Sequence, residues 1–155
     1  MKKQVSHWAI IGLFALSSLI GSCTKEEDYA KIDDEIIREY LDSKGLTAQK
    51  TESGLYYLIT VPGNSRKPDI NSQVTVHYKG YFTDGTVFDT SYGGTAPVFP
   101  LKNVIDGWKE GIQLFGKGGK GTLFIPSELG YGATPMSGIP AHSVLIFDIY
   151  LIDIE

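Results

Sequence analysis

The groups here that could carry nucleophilic or acid–base chemistry are serine hydroxyls, His77, His142 and several aspartates. Their arrangement does not favour it. No G-x-S-x-G elbow is present, and His77 alternates onto the solvent face of its strand. His142 opens a strand just after Pro140, and neither histidine has an evident carboxylate to orient it. His7, His77 and His142 lie far apart without ligand-like spacing, and Cys23 is the single cysteine, so no metal site and no internal disulfide is expected. The run Gly116 to Gly121, GKGGKG, matches G-x-G-x-x-G, but a helix precedes it and a strand follows. A dinucleotide loop needs the reverse order, so the run reads as a turn and no cofactor is expected. The stronger signal is a set of aromatic and aliphatic residues that neighbour turns rather than strand centres. They are Tyr78, Phe88, Phe99, Val104, Ile105, Trp108, Tyr131, Ile139 and Phe147, with Asp89 beside Phe88.

The elements that must position this set begin with Asn103 to Phe115. Ile105, Trp108, Ile112 and Phe115 recur at three- and four-residue steps and share one face of a helix about ten residues long. Asn103 or Asp106 can cap its start, and Gly116 can supply a left-handed residue at its end. Strands are expected at Gly54 to Val61, Gln73 to Phe82, Thr86 to Asp89, Val98 to Leu101, Gly121 to Ile125 and Ser143 to Ile152. In the second of these, Val74, Val76, Tyr78 and Phe82 point one way while Gln73, Thr75, His77 and Lys79 point the other. Asp84-Gly85 marks a hairpin turn. In the last strand, Leu145, Phe147, Ile149 and Leu151 line the face that should meet the helix. Pro126 to Ala141 is a long loop with apolar residues in it, and such loops are more often functional than not.

A net charge of −4 and a pI near 5.3 give no reason to expect nucleic acid as a partner. Eighteen Gly and seven Pro in 155 residues suggest many tight turns and a β-rich fold. Met1-Lys2-Lys3 followed by the apolar stretch Trp8 to Ile20 has the length of a secretion signal, too short to span a bilayer comfortably. Leu19-Ile20-Gly21-Ser22-Cys23 resembles the lipobox of bacterial lipoproteins, which implies removal of residues 1–22 and lipidation of Cys23. A charged tether, Thr24 to Asp28, would follow; it also resembles a surface-export signal of some Gram-negative lipoproteins. The expected location is the cell envelope of a Gram-negative bacterium, membrane-held through the lipid on the periplasmic face or the outer-membrane surface. Tyr29 to Ser43 carries an apolar stripe (Ile32, Ile36, Ile37, Tyr40, Leu41) with Gly45 as its stop, an amphipathic helix that packs on the domain or on a second copy in a homodimer. The chain thus divides into signal peptide 1–22, lipidated cysteine and tether 23–28, helix and linker 29–50, and a main domain 51–155.

VHYKG (Val76 to Gly80), DGTVFDTS (Asp84 to Ser91), VIDGWKEG (Val104 to Gly111), YGA (Tyr131 to Ala133) and GIPAHSVLIFDIYLI (Gly138 to Ile152) resemble the FKBP-type peptidyl-prolyl isomerases. The likeness runs from about Gly54 to the C-terminus. It implies an α+β fold in which a twisted antiparallel β-sheet wraps around one short α-helix. It implies a pocket with Trp108 as floor, Tyr78, Phe88, Val104, Ile105 and Phe147 as walls, and Tyr131 and Ile139 above; Phe99 carries over less directly. Asp89 would be a buried-edge carboxylate, and the Ile105 N–H and the Tyr131 hydroxyl would donate to substrate carbonyls. Proline-containing polypeptides are the implied substrates and macrolides the implied inhibitors, with Pro135-Met136-Ser137 standing where some members carry a His. A binding or holdase module that keeps the pocket without useful turnover is the alternative reading, and a lipoprotein for small apolar ligands a third.

Overall fold

The structure is a computed structural model that describes residues 28–155; the signal segment, the lipobox with Cys23 and most of the tether lie outside the described residues. The chain enters through helix α1 (Tyr29–Lys44), capped by Asp28, whose side chain accepts from the Lys31 N–H, and closed by Gly45 at φ 63°. Seven strands follow: β1 (Gln49–Lys50), β2 (Tyr56–Val61), β3 (Gln73–Tyr81), β4 (Val87–Thr90), β5 (Val98–Pro100), β6 (Lys120–Ile125) and β7 (Leu145–Ile154). They form one sheet in the order β1-β2-β6-β7-β3-β4, with β5 also paired to β3. Every pairing is antiparallel.

Long alternating sequence lies where the sheet is most buried. β3 and β7 sit side by side at its centre, with Val76 opposite Leu151, Tyr78 opposite Ile149 and Gly80 opposite Phe147. One face of β7 (Leu145, Phe147, Ile149, Leu151) enters the main core with Val74 and Val76 of β3 and Leu123 and Ile125 of β6, as the alternation requires. Ile146 of β7 is equally buried, but on the other side. There it joins Tyr56 and Phe124 beneath Ile37 and Leu41 of α1, a second and separate apolar cluster. The α1 stripe therefore packs on its own domain, while Ile32 at its outer edge remains exposed.

The helix inside the concave face is shorter than its stripe suggests. Helix α2 spans Asp106–Gly111 only, and single 3-10 turns flank it at Leu101–Asn103 and Ile112–Leu114. Ile105 occupies the N-cap with extended backbone and no side-chain cap, so neither Asn103 nor Asp106 caps the helix. Phe115 is extended and Gly116 is not left-handed; a side chain there would collide with the Asn64 carbonyl. The stripe survives because Ile112 and Phe115, three apart, stay on one side of a 3-10 turn. Gly107 and Gly111, one turn apart, let α2 lie directly on β6. A Cβ at either would come within 2.5 Å of Ile125 or Leu123.

The remaining short elements follow local chemistry. Within the GKGGKG run, residues 116–119 turn from the second 3-10 segment into β6, which already includes Lys120 and Gly121, and the Gly116 N–H pins the turn by donating to Pro62 O at 2.8 Å. Gly85 at φ 88° closes the β3–β4 hairpin, with the Thr86 N–H bonded to the Asp84 carboxylate. His77 is held by Ser91 Oγ at 3.0 Å and stacked on Tyr92.

Candidate active site, an aromatic pocket

The concave side of the sheet opens into a cavity of about 500 Å³ between α2, the β3–β4 hairpin and the loop after β6. Trp108 forms its base. The rings of Tyr78, Phe99 and Phe147 stand at 84°, 85° and 82° to the indole, with centroids 5.2, 5.6 and 5.3 Å away. Edge-on contacts of this kind suit the ring quadrupoles, so floor and walls stabilise one another. Phe88 leans edge-on against Phe147 at 5.5 Å and extends that wall to the rim.

The wall residues carried by strands owe their place to register. Phe147 lies opposite Gly80, and Gly80 in turn lies opposite Asp89, next to Phe88. A Cβ on Gly80 would lie 2.6 Å from the Phe88 ring and 2.8 Å from that of Phe147, so the glycine makes room for both. Val104 and Ile105 lie between the first 3-10 turn and α2. The Ile105 carbonyl accepts from the Trp108 and Lys109 N–H groups, while its own N–H has no partner among the described residues.

The polar groups at the mouth are few. The Tyr78 hydroxyl donates to Asp89 Oδ2 at 2.6 Å. Burial first, and then the Asp89 carboxylate, push the Tyr78 phenol well above its usual range, so it remains a neutral donor. Asp89 itself is exposed at the rim rather than at a buried edge, because β4 is the last strand of the sheet path among the described residues. The Tyr131 hydroxyl is without a partner among the described residues. So is the Trp108 Nε1–H, a buried donor left unsatisfied beneath the cavity.

The roof is the loop from Pro126 to Ala141. It starts with a 3-10 turn, Ser127–Leu129, and ends in a small clasp where Met136 and Ile139 exchange two backbone bonds of 2.9 Å. This brings Tyr131, Met136, Ser137 and Ile139 to the cavity. All ten residues singled out from the sequence line it: Tyr78, Phe88, Asp89, Phe99, Val104, Ile105, Trp108, Tyr131, Ile139 and Phe147. Asn103, Met136 and Ser137 line it too and were not anticipated. Met136 and Ser137 lie in the loop segment already noted as unusual, which was the available signal; Asn103 was assigned only a capping role.

A family model described as FKBP-type peptidyl-prolyl cis-trans isomerase matches residues 64–152, more than half of the chain and every residue of the pocket. The chain belongs to this family. Among curated relatives, it is 40% identical over 157 residues to "FKBP-type peptidyl-prolyl cis-trans isomerase FkpA" of Buchnera aphidicola subsp. Acyrthosiphon pisum, covering 97% of this chain and 65% of that one. The FkpA of Buchnera aphidicola subsp. Schizaphis graminum is 46% identical over 121 residues, 77% of this chain and 47% of the relative. In the first of the curated relatives the match covers only about half of their length. Two of the similar solved structures illustrate the likeness. The crystal structure of FkpA from Escherichia coli superposes with a TM-score of 0.73 at 37% identity, over 81% of this chain and 61% of that one. A peptidyl-prolyl cis-trans isomerase from Pseudomonas syringae gives 0.69 at 30% identity, over 81% and 96%. These likenesses carry the antiparallel sheet with few helices.

Proposed function

We propose that this protein is a peptidyl-prolyl cis-trans isomerase that assists the folding of exported polypeptides. The observation that carries the reading is the aromatic box itself, an upright-walled apolar cavity over Trp108 with few polar groups at its mouth. Rotation about an X-Pro bond is slow because resonance stiffens the amide, with a barrier of ~18–20 kcal/mol. In the twisted transition state the nitrogen loses conjugation and the amide loses charge separation. A water-poor cavity then favours the twisted form over the planar one, without any nucleophile. Each tenfold in rate requires ~1.4 kcal/mol of such preference.

In this mechanism the prolyl ring sits on Trp108 between Tyr78, Phe99 and Phe147, with Phe88, Val104 and Ile139 closing the sides. The Ile105 N–H and the Tyr131 hydroxyl, both without partners among the described residues, donate to the substrate carbonyls. Asp89 acts through Tyr78, holding its hydroxyl in one direction at the mouth. The same cavity would admit macrolide inhibitors. Cys23 is the proposed lipidation site, anchoring the protein in the cell envelope beyond a cleaved signal of residues 1–22.

The test is an isomerisation assay on a proline-containing peptide with the detergent-solubilised full chain. A rate well above the thermal background is expected. No excess rate from protein whose fold has been verified would remove the enzymatic reading. Labelling by a palmitate analogue, lost in Cys23→Ala, checks the anchor.

A further inference from the structure

Asp33 is the one charged side chain among the described residues with no exposure at all. It belongs to α1, on the face of the sheet away from the pocket, yet its partner belongs to the pocket's roof. Asp33 Oδ2 accepts from the Ser127 N–H at 2.7 Å and from the Ser127 hydroxyl at 2.6 Å. Ser127 is likewise fully buried, and its carbonyl accepts from Gly130 and Gly132 at 3.0 and 2.8 Å. The Gly132 carbonyl accepts from the His142 N–H at 2.8 Å, which ties the start of the loop to its end. His142 is the one non-glycine residue described at positive φ, 55°, and its ring stacks on Tyr29 of α1 with centroids 3.5 Å apart and planes 7° apart.

Tyr29 and Asp33 are one helical turn apart, and Ile37 and Leu41 continue the same row. One ridge of α1 therefore has two tasks. Its C-terminal half is sealed into the second apolar cluster, and its N-terminal half holds both feet of the loop that presents Tyr131, Met136 and Ile139 to the cavity. Packing alone does not call for a buried carboxyl here. Its Oδ1 has no hydrogen-bond partner among the described residues, a cost that an apolar side chain would avoid.

We propose that Asp33 is a positioning residue for the pocket. With Tyr29, it makes α1 a strut that sets the roof loop, so the state of the N-terminal helix is felt at the prolyl site. This rests on the isomerase reading only for its catalytic consequence.

The test uses the full chain in detergent, with amide exchange and steady-state kinetics measured in parallel. Asp33→Ala should speed exchange at Gly130, Gly132 and His142 by about tenfold relative to the amides of β3 and β7. It should also raise KM by about threefold to tenfold with little change in kcat, because the roof meets substrate before the amide twists. Asp33→Asn keeps an oxygen acceptor for Ser127 and should recover most of both. If Asp33→Ala does not fold, Tyr29→Ala reads the same strut from its partly exposed end and should loosen His142 and raise KM in the same direction. Roof amides accelerated over wild type no more than the sheet amides are in these variants, or an unchanged KM in folded protein, would overturn the proposal. The exchange measurement needs no turnover. An inactive wild type would thus count against the isomerase reading alone, and the strut would still stand or fall on the amides.

Discussion

Trp108 meets three rings nearly at right angles, so removing any of them opens a side of the box as well as removing contact area. Phe88→Ala is expected to lower kcat/KM by about tenfold or more while leaving the fold intact, since Phe88 stands only half-buried at the rim. Asp89→Val should also slow isomerisation, by freeing the Tyr78 hydroxyl. If either variant suppresses aggregation of a client as wild type does while neither alters isomerisation, the pocket serves binding rather than turnover. Gly80→Ala would push against Phe88 and Phe147 together, at a cost of about 1–3 kcal/mol, read as a lowered Tm. Tyr78 provides a pH signature. Its pKa is raised by burial and by Asp89, so the folded chain keeps a proton that the unfolded chain releases above pH 10.0. Stability should be unaffected by this group below that pH and fall as the pH rises beyond it, with a shallower fall in Tyr78→Phe. At this scale the sequence was highly informative about the pocket, because its residues sit in compact motifs at fixed distances from turns. It was silent on Asp33, whose partner lies 94 positions away and is found only once the chain has folded.

Among the elements, β3 was legible because its nine residues alternate, and β7 because its ten residues form a long run rich in Ile, Leu and aromatic residues that has few other readings. Helix α2 was legible as a stripe but not in length. A 3-10 turn repeats every three residues and imitates the helical period over so short a span. Gly107 and Gly111 were the overlooked clue, since two glycines one turn apart in a six-residue helix mark close contact with a strand. Strand β1 has two residues and no pattern to find. Helix α1 offers a prediction of its own. Asp34 accepts from Lys50 and from the Tyr56 hydroxyl, both at 2.6 Å, and pairs with Arg38 at 3.0 Å. The Lys50 bond first, and then that of Tyr56, hold the Asp34 carboxyl below its ordinary value of 3.8. Its contribution is therefore complete above pH 3.8 and is lost as the pH falls through the lower folded value. Lys50 is raised above 10.5 by the same bond, so its share is complete below that pH and fades above it. Acid titration of wild type against Asp34→Asn, followed at α1 amides, should show the helix loosening at low pH in wild type and a weaker pH dependence in the variant.

Across the whole molecule, the described residues form a single sheet with an apolar cluster on either side, and of these two clusters the main core borders the cavity. Deleting residues 29–48 would uncover Tyr56, Phe124 and Ile146. The expected loss exceeds that of one core truncation, about 2–5 kcal/mol, and should appear as a lowered Tm with binding of a dye that reports apolar surface. The two ends of the sheet carry a different consequence. The path finishes in a two-residue strand on one side and a four-residue strand on the other. Such short borders leave few free backbone donors and acceptors in a row for a stray extended chain to copy. On the isomerase reading proposed above, the protein would thereby be poorly suited to zip an unfinished polypeptide onto itself as an additional strand. Clients would be held by a ring in a box, a grip that is released as soon as the proline leaves.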